Sequence, residues 1–211
     1  MKRLIDLTLP LESTMRGVSI ESAMTIESDG WNATRLDLYS HCGTHMDAPR
    51  HFLPDGATIE SLPLEPCIGP AHVIDLTPVG PRENITLDRL GPWQDKIAAG
   101  DRLLIRTDWS LRHGTPKDRD ELPRIDLSLA RWIVERGVVL LGVEPPSVAD
   151  VNNIEELTAV HRVLLEAGVV IVEGLANLSR IESDSVDLIV LPLPVRDGDG
   201  APVRAVAIEN G

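Results

Sequence analysis

A mixed α/β layered domain is the fold class that the sequence predicts, and three observations predict it. Eight short runs rich in Val, Ile and Leu have strand length, only two segments carry clear helical periodicity, and no linker or internal repeat divides the 211 residues. The expectation is therefore one domain over residues 1–211, with strands outnumbering helices and no regular β–α alternation.

The strand-like runs are residues 4–7, 34–39, 73–76, 103–106, 138–143, 169–172, 188–193 and 203–208, separated by scattered prolines that act as punctuation. Asp197-Gly198-Asp199-Gly200 reads as the turn of a hairpin joining the last two runs. A helix is expected over residues 129–136, stopped by Gly137, and a weaker one near Thr86. The clearest helical signal follows Asn153: Asn153 can cap, and Glu156 stands where a capping box places its acid. From there Leu157, Val160, His161, Leu164 and Leu165 share one face up to Gly168, a suitable left-handed terminator. That spacing turns His161 inward.

Composition excludes several functions. A formal net charge of -13 disfavours nucleic acid, whose phosphates require clustered Lys and Arg. Asp6 and Pro10 interrupt the apolar stretch after Lys2 and Arg3 before it reaches signal-peptide length, and no later run could span a membrane. A soluble, cytoplasmic protein is expected, with Cys42 and Cys67 as reduced thiols. Aromatic residues make up only 3% of the chain, so the core must be aliphatic.

The chemistry concentrates in His41-Cys42-Gly43-Thr44-His45-Met46-Asp47-Ala48-Pro49-Arg50-His51, which holds three of the six histidines and a carboxylate. Imidazole nitrogen and carboxylate oxygen are ligands for Zn2+, Mn2+ and Fe2+, and a site without thiolate commonly leaves coordination positions open. Gly43 and Pro49 argue against a continuous helix, so a loop after the strand 34–39 is expected. In an extended stretch His45 and Asp47 face the same way, and Gly43 lets the backbone fold His41 back towards them. His51 then lies at the rim, placed for proton transfer rather than ligation. A lone histidine on an apolar helix face reads as a core residue bonded to a carbonyl. His161 gains a second reading from Glu173, because a carboxylate closing a buried strand is costly unless paired or metal-bound. His72 and His113 read as structural or solvated, Cys42 as structural, and Asp197 and Asp199 as turn residues.

The segment from His41 through Phe52 resembles the HxGTHxDxPxHF signature of the cyclase-like metal-dependent hydrolases, the family of bacterial kynurenine formamidase and isatin hydrolase. Ile5-Asp6-Leu7-Thr8, Gly142-Val143-Glu144-Pro145-Pro146-Ser147 and the block from His161 through Glu173-Gly174-Leu175 extend the resemblance along nearly the whole chain. The resemblance implies a swivelling β/β/α domain with a mixed sheet, assembled as a homodimer or homotetramer. It implies ligand roles for His41, His45, Asp47, His161 and Glu173 around one or two divalent ions, Zn2+ first and Mn2+ second, with His51 as proton donor and acceptor. Residues 11–20 lack the tryptophan that formamidases carry after the first strand, so an aryl-stacking contact is not implied there.

The expected activity is hydrolysis of an amide, formamide or cyclic imide or lactam bond in a small molecule by metal-activated water. Two alternatives stand beside it: an arylformamidase acting on N-formylkynurenine, and a non-catalytic protein whose ion staples the fold.

Overall fold

The computed structural model describes residues 2–115 and 117–210. The strands are β1 (Arg3–Asp6), β2 (Val18–Met24), β3 (Ala33–Leu38), β4 (His45–Asp47), β5 (Ile68–Asp75), β6 (Asn84–Ile85), β7 (Arg102–Arg106), β8 (Arg124–Ile125), β9 (Leu140–Val143), β10 (Val170–Glu173), β11 (Ser185–Pro192) and β12 (Gly200–Glu209). The helices are the single turns α1 (Ile26–Asp29), α2 (Trp93–Lys96) and α3 (Lys117–Asp120), then α4 (Leu127–Glu135) and α5 (Ile154–Glu166).

Eight strands form one mixed sheet in the order β1-β12-β11-β5-β7-β9-β10-β4. The contiguous strands β5, β7, β9 and β10 run parallel, and the remaining pairs are antiparallel. β4 pairs with β10 on one side and with the start of β12 on the other, so the sheet closes like a barrel. The mixed α/β expectation therefore holds, with closure added to it. β2 and β3 stand apart as a two-stranded hairpin, and Trp31 in their connection is exposed.

Strand alternation divides the core into two clusters. Val170 and Val172 join Met46, Leu104 and Leu188 in one, whereas Ile171 joins Leu103, Leu141, Val160 and Leu164 in the other, under α4 and α5. Each fully buried Leu or Ile contributes about 1.5–3 kcal/mol, so α5 is held by its apolar face rather than by helix propensity. Asn153 caps α5 by accepting from Glu156 N at 3.2 Å, and Gly168 follows the helix at φ +76.

Local expectations needed four corrections. His45–Asp47 is a strand, not loop, because the apolar core captures Met46 and the backbone finds partners on both edges. Only half of the capping box forms: the Glu156 carboxylate pairs with Arg124 Nε at 2.8 Å, a cation supplied from β8. The helix expected over residues 129–136 starts at Leu127, where Asp126 accepts from Ser128 N at 2.8 Å. Near Thr86 the chain makes a 3-10 turn, Leu87–Leu90, rather than an α-helix.

Candidate metal centre

Period-2 alternation assembles the cluster. With Met46 turned into the core, His45 and Asp47 emerge on the opposite face of β4, the face that Ile171 and Glu173 share on β10. The antiparallel register sets Glu173 opposite His45 and Ile171 opposite Asp47. α5 packs across this face through Val160 and Leu164, which brings His161 over the two carboxylates.

The turn before β4 supplies His41. Gly43 adopts φ +58, and the chain folds back until His41 Nδ1 lies 2.8 Å from Asp47 Oδ1. Thr44 fastens this turn: its Oγ1 donates to the Gly174 carbonyl at 2.6 Å and accepts from Leu9 N at 2.8 Å. At the start of β12, Gly200 leaves room for the ring, since a Cβ there would lie 2.7 Å from His41 Cε1.

Two backbone carbonyls orient the imidazoles. His45 Nδ1 donates to Gly43 O at 3.0 Å, and His161 Nδ1 donates to Leu157 O at 2.7 Å. A carbonyl only accepts, so Nδ1 of each ring carries a proton and Nε2 faces the cluster, the orientation seen in metal-binding histidines. Thus His161 is both the carbonyl-bonded core histidine and a member of the site. His45 Nε2 lies 3.2 Å from Glu173 Oε2, while His161 Nε2 lies 3.4 Å from Glu173 Oε1 and 3.6 Å from Asp47 Oδ2.

Burial disfavours charge on these groups, yet their mutual contacts overcome it. Burial lowers the His45 and His161 pKa values, but the Glu173 hydrogen bond and charge, with the Asp47 charge, raise both above the usual histidine range. His41 behaves likewise through Asp47 and Asp199. Burial would raise the Glu173 carboxyl, but hydrogen bonds from His161 and His45 hold it well below the usual carboxylate range. His51 moves the other way: burial and the charges of His41 and His161 lower its pKa against the pull of Asp47.

Asp47 Oδ2 is buried and has no hydrogen-bond partner among the described residues. An orphaned carboxylate oxygen is expensive unless a cation meets it, so this donor set fits a divalent ion. Asp47 also belongs to two potential ligand groups, one with His41 and His45 and one with His161 and Glu173, each with ligand atoms within 4.8 Å of one another.

His51 stands at the side of the cluster. Its ring stacks on His41 with centroids 3.8 Å apart, and its Nδ1 is 3.8 Å from Asp199 Oδ2. Asp199 is the residue that sequence reasoning missed. Its local sequence is that of a turn, but the β11–β12 connection carries it to 3.2 Å from His41 Nε2, and it forms a third potential ligand group with His41 and His51. Only the closure of β12 onto β4 makes that contact, so no local signal could have shown it. Phe52 stacks on His161 at 4.4 Å, whereas Trp31 sits on the hairpin.

A pocket of about 340 Å3 opens onto His41 and His45, within the range for small-molecule sites. Its walls come from the stretch around Met15 and the segment around His113, so His113 faces this pocket instead of being merely solvated. His113 Nδ1 lies 3.2 Å from Asp118 Oδ2, and this hydrogen bond outweighs burial and raises its pKa. His72 pairs with Asp101 at 3.2 Å on β5, a structural position. Cys42 and Cys67 are buried free thiols, and Cys42 contributes to the pocket lining.

Together, fold and site define a closed-sheet α/β protein with an imidazole–carboxylate cluster where sheet and helix meet. The Cyclase family model, described as "Putative cyclase", matches residues 5–150. The chain belongs to this family. It is 34% identical over 210 residues to kynurenine formamidase from Bacillus mycoides, covering 96% of this chain and 95% of that protein. To kynurenine formamidase from Bacillus cereus it is 35% identical over 181 residues, covering 85% and 81%. Among solved structures, isatin hydrolase A from Ralstonia solanacearum aligns with a TM-score of 0.88 at 24% identity, over 99% of this chain and 92% of that one. At that identity the likeness speaks for the fold.

Proposed function

We propose that this protein is a metal-dependent hydrolase of carbon–nitrogen bonds other than peptide bonds, acting on an amide, formamide or cyclic imide or lactam in a small molecule. His41, His45, Asp47, His161 and Glu173 are the proposed ligands of one or two divalent ions, Zn2+ first and Mn2+ second. The observation that carries the reading is the orphaned Asp47 Oδ2 among imidazole Nε2 atoms, beside a pocket that opens on His41 and His45. Such an ion supplies the acidity that activates a water and polarises the scissile carbonyl.

The chain's own groups do the rest. Gly43 O and Leu157 O keep the ligand imidazoles in one tautomer and orientation. With its pKa lowered, His51 is neutral near pH 7 and takes the proton that the attacking water loses. It then delivers that proton to the departing nitrogen, so no covalent intermediate is required. Asp199, near His51 Nδ1, steadies the imidazolium between these transfers.

A second reading, arylformamidase activity on N-formylkynurenine, is favoured by the relatives named kynurenine formamidase. Direct comparison of that substrate with a lactam and an aliphatic formamide separates the two. Assembly as a homodimer or homotetramer belongs to the proposal, supported by the exposed Ile26, Trp31 and Leu36 around the hairpin; so does a cytoplasmic location, supported by the two buried free thiols.

The test is chelation followed by reconstitution with Zn2+ or Mn2+, with turnover and metal content measured together, alongside His51→Gln. Activity should disappear with the metal and return with it. The variant should retain metal while kcat falls by about 10^2- to 10^4-fold. Full turnover in verified metal-free protein rules the proposal out, as does stable, fully loaded protein that hydrolyses none of the substrates, the behaviour of a purely structural ion.

A further inference from the structure

The pocket beside the cluster contains a charge imbalance that the hydrolytic chemistry does not use. Arg16, from the stretch between β1 and β2, and Arg119, on α3, line the same pocket as His41 and His45. No ion pair joins either guanidinium to a carboxylate among the described residues. The Arg16 charge reaches Arg119, however: burial and then that charge lower the Arg119 pKa, against weaker opposing pulls from Asp120 and Glu173. Two like charges lining one pocket, in a chain of net charge -13, is an arrangement that an anion would relieve.

The acids that line the pocket are already engaged. Asp118 is held by His113 at 3.2 Å. Glu144 Oε2 accepts from Thr107 N at 2.7 Å and Thr107 Oγ1 at 3.1 Å, while its Oε1 accepts from Ser110 Oγ at 2.8 Å. Arg16 lies over the Tyr39 ring, 5.6 Å from its centroid. A guanidinium without a carboxylate partner offers N–H donors in the fork geometry that matches a carboxylate.

We propose that Arg16 and Arg119 are specificity-determining residues that hold a carboxylate of the substrate at the pocket wall, while its scissile bond lies over His41 and His45. The hydrolase's substrates are then small carboxylates whose cleavable amide, formamide or lactam lies across the pocket from the anion. This inference rests on the hydrolase reading above. The anion has a site of its own, so substrate recognition and bond cleavage are separable.

The separation defines the experiment. Zn2+- or Mn2+-loaded wild type and the Arg16→Gln/Arg119→Gln double variant are compared on N-formylanthranilate, which carries a carboxylate, and on formanilide, which does not. Charge-assisted hydrogen bonds to a carboxylate contribute enough for the kcat/KM ratio of the anionic to the neutral substrate to fall by about 10- to 100-fold in the double variant. The change should lie in KM, and Arg→Lys replacements should restore part of it. An unchanged ratio in a variant that melts like the wild type overturns the proposal. If the loaded wild type hydrolyses neither compound, the hydrolase reading is judged on the wider substrate set above, and calorimetric titration with benzoate decides the anion site. Binding weakened about tenfold or more in the double variant supports it, whereas equal affinity, or no binding by the wild type, sinks it.

Discussion

Replacing Gly174 by alanine should loosen the seam on which the cluster is built. Gly174 follows the Glu173 carboxylate and has φ +67, in the left-handed region where a Cβ costs about 1–2 kcal/mol. An alanine Cβ would stand 2.4 Å from the Gly43 carbonyl oxygen, whereas a comfortable C···O contact is roughly 3.3 Å. The turn carrying His41 and His45 must therefore retreat by about 0.9 Å, straining the bond from Thr44 Oγ1 to Gly174 O. Overpacking of this kind costs about 1–3 kcal/mol, which brings the total to roughly 2–5 kcal/mol. At about 2–4 °C per kcal/mol for a chain of this size, Tm should fall by about 4–20 °C. Displacing the proposed ligands should also weaken divalent-metal binding by about 10- to 100-fold, as when supporting contacts of metal ligands are removed. Thermal denaturation by circular dichroism and competition with a chromogenic chelator measure the two effects. A variant that melts within about 1 °C of the parent and binds metal equally well would refute the close-approach argument.

Leu164→Ala, at a fully buried position of α5, should cost about 2–5 kcal/mol in urea denaturation, with metal affinity reduced because His161 rides on the same helix face. An unchanged urea midpoint would mean that this face does not hold the helix. His113→Gln should alter the pH dependence of stability. The Asp118 hydrogen bond raises the folded pKa of His113 above its unfolded value near 6.5, so the pair's stabilisation is fully present below about pH 6.5 and lost as pH rises through the folded value. The wild type should thus exceed the variant by a few tenths of a kcal/mol at about pH 5.5, with the difference vanishing once the pH passes the folded pKa. A difference that grows with pH contradicts the assignment.

Local pattern carried much of this protein's design. Val/Ile/Leu runs marked eight of its strands, the 3.6-residue spacing of Leu157, Val160, His161 and Leu164 marked α5 and its inward histidine, and the crowding of His41, His45, Asp47 and His51 marked the chemistry. These features are written in neighbouring residues, so hydrophobic period and residue type suffice to reveal them. Only the tertiary structure decided that β4 bridges β10 and β12, that Asp199 reaches His41, and that Arg16 and Arg119 meet in one pocket. Those contacts join segments as much as 158 residues apart. They arise when a mixed sheet closes, because strand register and closure depend on the packing of the whole core rather than on any local run.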